Sequence, residues 1–319
     1  MRFVVVGAGA VGGVLGARLA LTGADVHLVA RGAHLDAIRS HGLVLRSPDG
    51  DVTVDVAASD VAGVRLAAGD VVLLAVKSHD TAAALTALAA GAAPGVAVAC
   101  VQNGVTNERE ALRRFARVSG VCVMCPTAHL EPGVVAAYSS PTTGLLDVGR
   151  YPDGADDVDE AIAAAFRSAG FGSEVLPDVM RWKYGKLVVN LGNAVEAVCG
   201  PPARGGEVGR RATEEGVAVL EAAGIPFVGA EEDAARRGDH LRLRPIAGER
   251  RPGGSSWQSL ARGLGSIETD HLNGEIVLLG RLHGVPTPVN ETLQRLANAM
   301  AAGGERPGTV PPEVVLAGG

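Results

Sequence analysis

The sequence predicts an α/β protein: a doubly wound parallel sheet in the N-terminal part, followed by an all-helical C-terminal domain. Three observations predict it. An apolar, β-branched run at residues 3–6 opens directly into Gly7-x-Gly9-x-x-Gly12 and then into a helical pattern from residue 11 to about 21. Continuous apolar runs recur at 70–77 and 96–101, each followed by a helical stretch, as expected of parallel strands covered on both faces. After Pro177 the periodicity turns almost wholly helical. These place a dinucleotide-binding domain at 1–176 and a helical substrate domain at 177–319.

The glycine spacing alone is common, but in strand–turn–helix order it is the Rossmann-type fingerprint. Gly7 permits the tight turn, Gly9 lets a pyrophosphate approach the backbone, and Gly12 lets helix and strand pack closely. With Ala10 and Val11, whose N–H groups open the helix toward phosphate, these are the cofactor-binding candidates. The alternative is a glycine-rich turn with no ligand.

The next strand, 26–30, ends at Arg31. A carboxylate at that strand end favours NAD, whereas a cation accommodates the 2′-phosphate of NADP; here the acid, Asp25, stands at the other end. Residues 32–40 read as helix, and Ser47-Pro48-Asp49-Gly50-Asp51 reads as a hairpin turn between 43–46 and 52–56. The 70–77 strand ends in Lys77, placed to reach cofactor phosphate or simply solvated. The 96–101 strand ends in Gln102-Asn103-Gly104, which is either plain turn chemistry or a contact to nicotinamide and substrate. Helix is expected over 106–116 and 156–168, short strands at 133–138 and 143–148, and a strand near 174–176.

A net charge of −6 and the lack of a basic cluster with aromatics argue against nucleic acid as a partner. No apolar stretch is long enough for a membrane span, and the N-terminal run is too short for a signal peptide, so a cytoplasmic enzyme is expected. Aromatics are only 3% of residues, so Ala, Val, Leu and Gly must fill the cores. Cys122 and Cys125 form a C-x-x-C, but residues 120–125 read as a buried strand, which points the two thiols to opposite faces. No matching pair of ligands accompanies them, and no metal is expected.

Downstream of Pro177, helices are expected at 178–199, 207–223, 231–243, around 256–280 and at 289–302, with little regular structure after 303. In the first of these, Lys186, Asn190 and Asn193 stand at i, i+4 and i+7 on one face of an otherwise apolar helix. Such a stripe must be solvated, paired or functional. The far side of that helix is open to burial within its own domain or against a second subunit. Ser256 follows Gly253-Gly254-Ser255, where it serves either as a helix cap or as a site residue. Glu268, Asp270 and His271 crowd three titratable groups into one turn, for which a solvated acidic turn is the ordinary explanation.

Taken in order, the N-terminal glycine motif, Gln102-Asn103-Gly104, Lys186-Leu-Val-Val-Asn190, Ser255-Ser256 and Glu268-x-Asp270-x-x-Asn273-Gly274 resemble the ketopantoate reductase family over nearly the whole chain. The resemblance implies a Rossmann domain, a helical C-terminal domain, an active site in the cleft between them, and NADPH-dependent reduction of a 2-oxo acid. It implies Lys186 as general acid with Glu268 as its acidic partner, and Asn190 and Ser256 holding substrate; Asn193, on the same helix face, is a further substrate-binding candidate. Asn103 and Gln102 would lie by the nicotinamide, Asn103 also by the substrate, and Arg31 and Lys77 at the 2′-phosphate. The chain departs from the family pattern twice. Ala194 stands where a second asparagine is usual, with Asn193 one residue early; and Trp257-Gln258-Ser259-Leu260 replaces Met-x-x-Asp. These departures keep open a bulkier ketone as substrate. A non-catalytic NADP(H)-binding sensor is a further alternative.

Overall fold

The computed structural model of the chain describes residues 1–318. The chain divides into two compact units: Met1–Lys183 with Glu231–Arg251, and Tyr184–Ala230 with the chain from Pro252 onward. This division differs from the one at 176/177 in two places. The start of the long helix, and the segment 231–251, both belong with the first unit.

The first unit runs β1 (Arg2–Val6), α1 (Ala10–Leu21), β2 (Asp25–Val29), α2 (Gly32–His41), β3 (Leu43–Arg46), β4 (Val52–Val54), β5 (Ala57–Ser59), β6 (Val71–Leu74) and α3 (Thr81–Ala89). It continues through β7 (Ala97–Cys100), α4 (Asn107–Leu112), β8 (Arg117–Met124), β9 (Thr127–Glu131), β10 (Val134–Ala137), β11 (Leu145–Arg150) and α5 (Asp157–Ser168). The main sheet has the order β11-β8-β7-β6-β1-β2-β5, parallel except for β11. Strand order reverses between β1 and β6, so the loops that follow these two strands flank the switch point where such sheets bind ligands. β1 and β6 are apolar and buried almost throughout, because helices cover both faces.

The hairpin at 43–54 forms as expected, but it belongs to a second sheet, β4-β3-β10-β9, that the strand pattern did not anticipate. α1 lies against β10 as well as the main sheet, which accounts for its glycines. A Cβ on Gly13 would lie 2.8 Å from Val135, and one on Gly16 would lie 2.4 Å from Leu28. A helix enclosed from both sides is apolar around most of its circumference, as α1 is. α5 begins where Asp156 caps it, accepting from the N–H groups of Val158 and Asp159 while Asp159 reciprocates.

The expected strand near 174–176 is a bridge at Val148–Val175 along the edge of β11. Cys122 lies in β8 and Cys125 just past its end; neither forms a disulfide.

The second unit is built of helices. α6 (Val179–Cys199) begins in the first unit and continues into the second, followed by α7 (Pro201–Arg204) and α8 (Glu207–Ala222). After α9 (Ala230–Arg237), which leads back into the first unit, come α10 (Ser255–Ala261), α11 (Asn273–His283), α12 (Pro288–Gly303) and α13 (Pro312–Ala317). α9 stops well short of residue 243, because Gly238 turns left-handed (φ +42°) and the following segment pairs with the end of β10 through Arg244 and Tyr138. The region 256–280 is broken at Gly263 and Gly265, both left-handed, so it holds α10, a 3₁₀ turn and part of α11. The tail after 303 is more ordered than expected: α13 seats Val315 in the helical core beside Leu293 and Ala297.

Candidate active site

In the first unit the three glycines of the opening turn do three different things. Gly7 is left-handed (φ +101°), and a Cβ there would lie 2.7 Å from the Val76 backbone nitrogen. At Gly12 a Cβ would fall 2.1 Å from the Gly7 carbonyl oxygen and 2.8 Å from Ala75. At Gly9 it would meet no heavy atom within 4 Å. The first and third glycines are demanded by packing. The middle one leaves open space in front of the backbone, and that is the fit a pyrophosphate requires. α1 starts at Ala10, and its first N–H groups, with those of Val11 and Gly12, have no acceptor within the helix.

Arg31 caps the start of α2, its side chain 86% exposed and bonded to Asp80 at 3.0 Å. Lys77, half-buried, opens the short 3₁₀ turn after β6.

The loops after β6 and β7 are tied together by buried polar side chains. Gln102 donates to the Val76 carbonyl and to Thr81 Oγ1, both at 2.8 Å. Thr81 in turn donates to Asn107 Oδ1, and Asn107 donates to Ser78 Oγ and to the Asn103 carbonyl. Beneath this lies an ion pair the sequence reading missed. Lys183 Nζ stands 2.7 Å from Glu108 Oε1, with side chains 2% and 0% exposed. Lys183 also donates to the backbone oxygens of Gln102 (2.8 Å) and Val121 (3.1 Å). The Gln102-Asn103-Gly104 turn is therefore held by a buried ammonium as well as by side-chain amides.

In the second unit the polar stripe of α6 is not a solvated face. Asn190 and Asn193 are buried, and Lys186 is half-buried. Asn193 Oδ1 accepts from Arg204 (3.0 Å), which also reaches Glu196 (3.1 Å) and the Val189 carbonyl. Glu196 accepts from the Gly254 N–H at 3.0 Å, so one network fastens the Gly253-Gly254 turn to α6. Gly254 is the residue that caps α10; Ser256 lies inside the first turn and is buried.

Glu268, also buried, starts the 3₁₀ turn Glu268–His271. Its neighbours explain the spacing around it. Asp270 accepts from Gln294 and Asn298, both at 2.7 Å. Asn273 donates to the Leu191 carbonyl and to Asn290, and a Cβ on Gly274 would press on Gln294 at 2.7 Å. These three residues anchor the turn to α6 and α12 and leave Glu268 at its start.

Two family models match the chain: Ketopantoate reductase PanE/ApbA over residues 3–152, and Ketopantoate reductase PanE/ApbA C terminal over 178–301. The chain belongs to the ketopantoate reductase family. Among curated members, the 2-dehydropantoate 2-reductase of Halobacterium salinarum is 34% identical over 93% of this chain and 97% of its own length. That of Caulobacter vibrioides is 32% identical over 93% and 98%. A ketopantoate reductase structure from Ralstonia eutropha superposes with a TM-score of 0.80 at 32% identity, covering 95% of this chain and 99% of that one. D-mandelate dehydrogenase, solved with NADH and anilino(oxo)acetate, shares the fold (TM-score 0.82) at 20% identity.

As a family member the chain has a readable departure at Ala194. That residue is 1% exposed and packs in the helical core with Val195, Val198 and Leu293, so position 194 faces hydrocarbon. Trp257 is half-buried, its ring beside Gly253, where a Cβ would lie 2.9 Å from the indole.

The supporting residues gave little signal in sequence. Glu108 sits among Arg109 and Glu110, which are not buried, in what reads as an ordinary charged helix. Lys183 differs from Lys186 only by a turn of the same helix. An apolar setting on both sides of a lysine was the one available clue.

Proposed function

We propose that this chain reduces a small 2-oxo acid, nominally 2-dehydropantoate to pantoate, with NADPH. The observation that carries the reading is the burial of Asn190, Ser256 and Glu268 in a helical unit whose hydrophobic core is mostly Ala, Val and Leu. Bound NADPH supplies the hydride. In the first unit Gly7, Gly9, Ala10, Val11 and Gly12 would hold its pyrophosphate, Arg31 and Lys77 the 2′-phosphate, and Gln102 and Asn103 the nicotinamide, with Asn103 also within the substrate's reach. In the second, Asn190 and Ser256 orient the oxo acid; Asn193, expected from the sequence to hold substrate as well, has its oxygen engaged by Arg204 and acts instead through Arg204 and Glu196 on the Gly253-Gly254 turn. As hydride adds to the carbonyl carbon, negative charge grows on its oxygen. The Lys186 ammonium offsets that charge and delivers the proton, and Glu268 holds the ammonium in place.

The test is NADPH consumption on adding 2-dehydropantoate to folded protein. Lys186→Ala is expected to lower turnover roughly 10²–10⁴-fold while keeping NADPH affinity. Folded enzyme that binds NADPH yet turns over no oxo acid would refute the reading and favour a sensor. Trp257 favours a second reading, reduction of a bulkier ketone, which parallel assays on bulkier substrates separate. A cytoplasmic location and a homodimer complete the proposal; fractionation and sedimentation test them.

A further inference from the structure

His34, on α2, bonds at both ring nitrogens to backbone. Nδ1 accepts from the Gly133 N–H at 2.9 Å, in the turn between β9 and β10. Nε2 lies 2.7 Å from the Ala8 carbonyl oxygen, between Gly7 and Gly9. The two contacts together fix the chemistry of the ring. The Gly133 amide can only donate, so Nδ1 must be bare. The Ala8 carbonyl can only accept, so Nε2 must carry the proton. His34 is therefore neutral and in a single tautomer. Burial, holding its pKa below the ordinary imidazole range, agrees with this. The ring of His129 on β9 stands 4.3 Å away, tilted at 53°, and limits its movement.

The Ala8 oxygen belongs to the same planar peptide unit as the Gly9 N–H, and in a trans peptide the two point in opposite directions. Whatever holds the oxygen also aims the N–H. The other side of Ala8 is already held, because its own N–H and that of Gly7 both donate to the Val29 carbonyl at 3.1 and 3.0 Å. Gly133 is held independently, its carbonyl accepting from Val44 at 2.8 Å. His34 thus braces the glycine turn against the second sheet.

Resting on the dinucleotide reading above, we propose that His34 is a positioning residue for cofactor binding: its Nε2–H fixes the Ala8–Gly9 peptide and with it the direction in which the Gly9 N–H is offered to the pyrophosphate.

Two substitutions separate the two bonds. In His34→Gln the amide lies near the former Nε2 and keeps a donor for Ala8. In His34→Asn it lies near the former Nδ1 and keeps only an acceptor for Gly133. NADPH binding to each purified, folded protein is read by fluorescence titration, with melting temperature and kcat at saturating NADPH alongside. The imidazole tautomer of the unsubstituted protein is read by nitrogen-15 NMR. The expected result is a Kd raised about tenfold in His34→Asn, the upper range for losing one neutral hydrogen bond, and about twofold or less in His34→Gln, with kcat unchanged. The NMR spectrum should show a neutral ring protonated at Nε2. Equal Kd values for both variants, a fall in melting temperature with no change in Kd, or a ring protonated at Nδ1 would overturn the proposal. If the unsubstituted protein does not bind NADPH at all, the dinucleotide reading fails instead, and the tautomer still decides whether His34 makes these bonds.

Discussion

Replacing Lys183 with methionine removes a buried ammonium and leaves its surroundings in place. Glu108, fully buried, loses the cation 2.7 Å from its carboxylate, and the Gln102 and Val121 carbonyls lose their donor. Breaking a buried pair from one side costs about 3–5 kcal/mol, because a charge is stranded where water cannot reach it. That is a large share of the 5–15 kcal/mol that holds a typical domain together. For a unit of this size each kcal/mol lowers the midpoint roughly 2–4 °C, so Lys183→Met should melt some 6–20 °C below the parent in a thermal scan. The double variant Lys183→Met, Glu108→Leu removes both charges together and should recover most of the loss, since apolar replacements of buried pairs are often neutral. Circular dichroism on the parent, single and double variants measures this directly. A single variant melting within about a degree of the parent, or a double variant less stable than the single one, would refute the idea that Lys183 and Glu108 compensate each other.

Other outcomes follow from the same geometry. Gly9→Ala should leave the melting temperature unchanged and weaken NADPH binding roughly 10–100-fold, since the methyl occupies only ligand space and displaces charge-assisted hydrogen bonds. Gly12→Ala should instead cost about 1–3 kcal/mol of stability, because its methyl meets the Gly7 carbonyl. Burial holds the pKa of both His34 and His27 below the usual range, with the Arg2 charge adding to the effect at His27. The unfolded chain then binds more protons than the fold below about pH 6.5, so melting temperature should fall on acidification through that window, less steeply in His34→Asn. Burial pushes Cys125 up to about 12 and Cys199 to about 11, so neither should react appreciably with iodoacetamide near pH ~8 in folded protein, as mass spectrometry would report.

The elements legible in the sequence were those whose pattern is local. Apolar strands followed by glycine turns or helices announce a parallel sheet, and the Gly7, Gly9 and Gly12 roles follow from spacing plus context. The second sheet was harder to read because β10 pairs with β3 across some ninety intervening residues, and nothing local encodes that partnership; β9 joins the sheet only through β10. The same limit applies to the site. Lys186, Asn190, Ser256 and Glu268 lie in recognisable short motifs. Lys183 and Glu108 acquire their meaning only when α4, β8 and α6 converge, and Arg204 only when it reaches back to Asn193 and Glu196. Glycines that end helices, such as Gly238 and Gly263, competed with a helical periodicity that runs past them, and the backbone followed the glycine.

The two departures from the family pattern differ in physical kind, which bears on where substrate choice resides. An asparagine at position 194 would place an amide among Val195, Val198 and Leu293, where an unpaired polar group costs about 1–3 kcal/mol. Ala194 is therefore a packing residue, and the polar function near it falls to Asn193, whose oxygen is already engaged by Arg204. Trp257 is of the other kind. Its ring lies against Gly253, left-handed at φ +85°, and the adjoining Gly254 is fastened to α6 through Glu196. Any change in the size of the side chain at 257 acts on the turn that carries Ser255 and Ser256. The Gly253–Trp257 contact is thus coupled to the turn that carries Ser255 and Ser256, while the 194 position is committed to the packing of the helical unit.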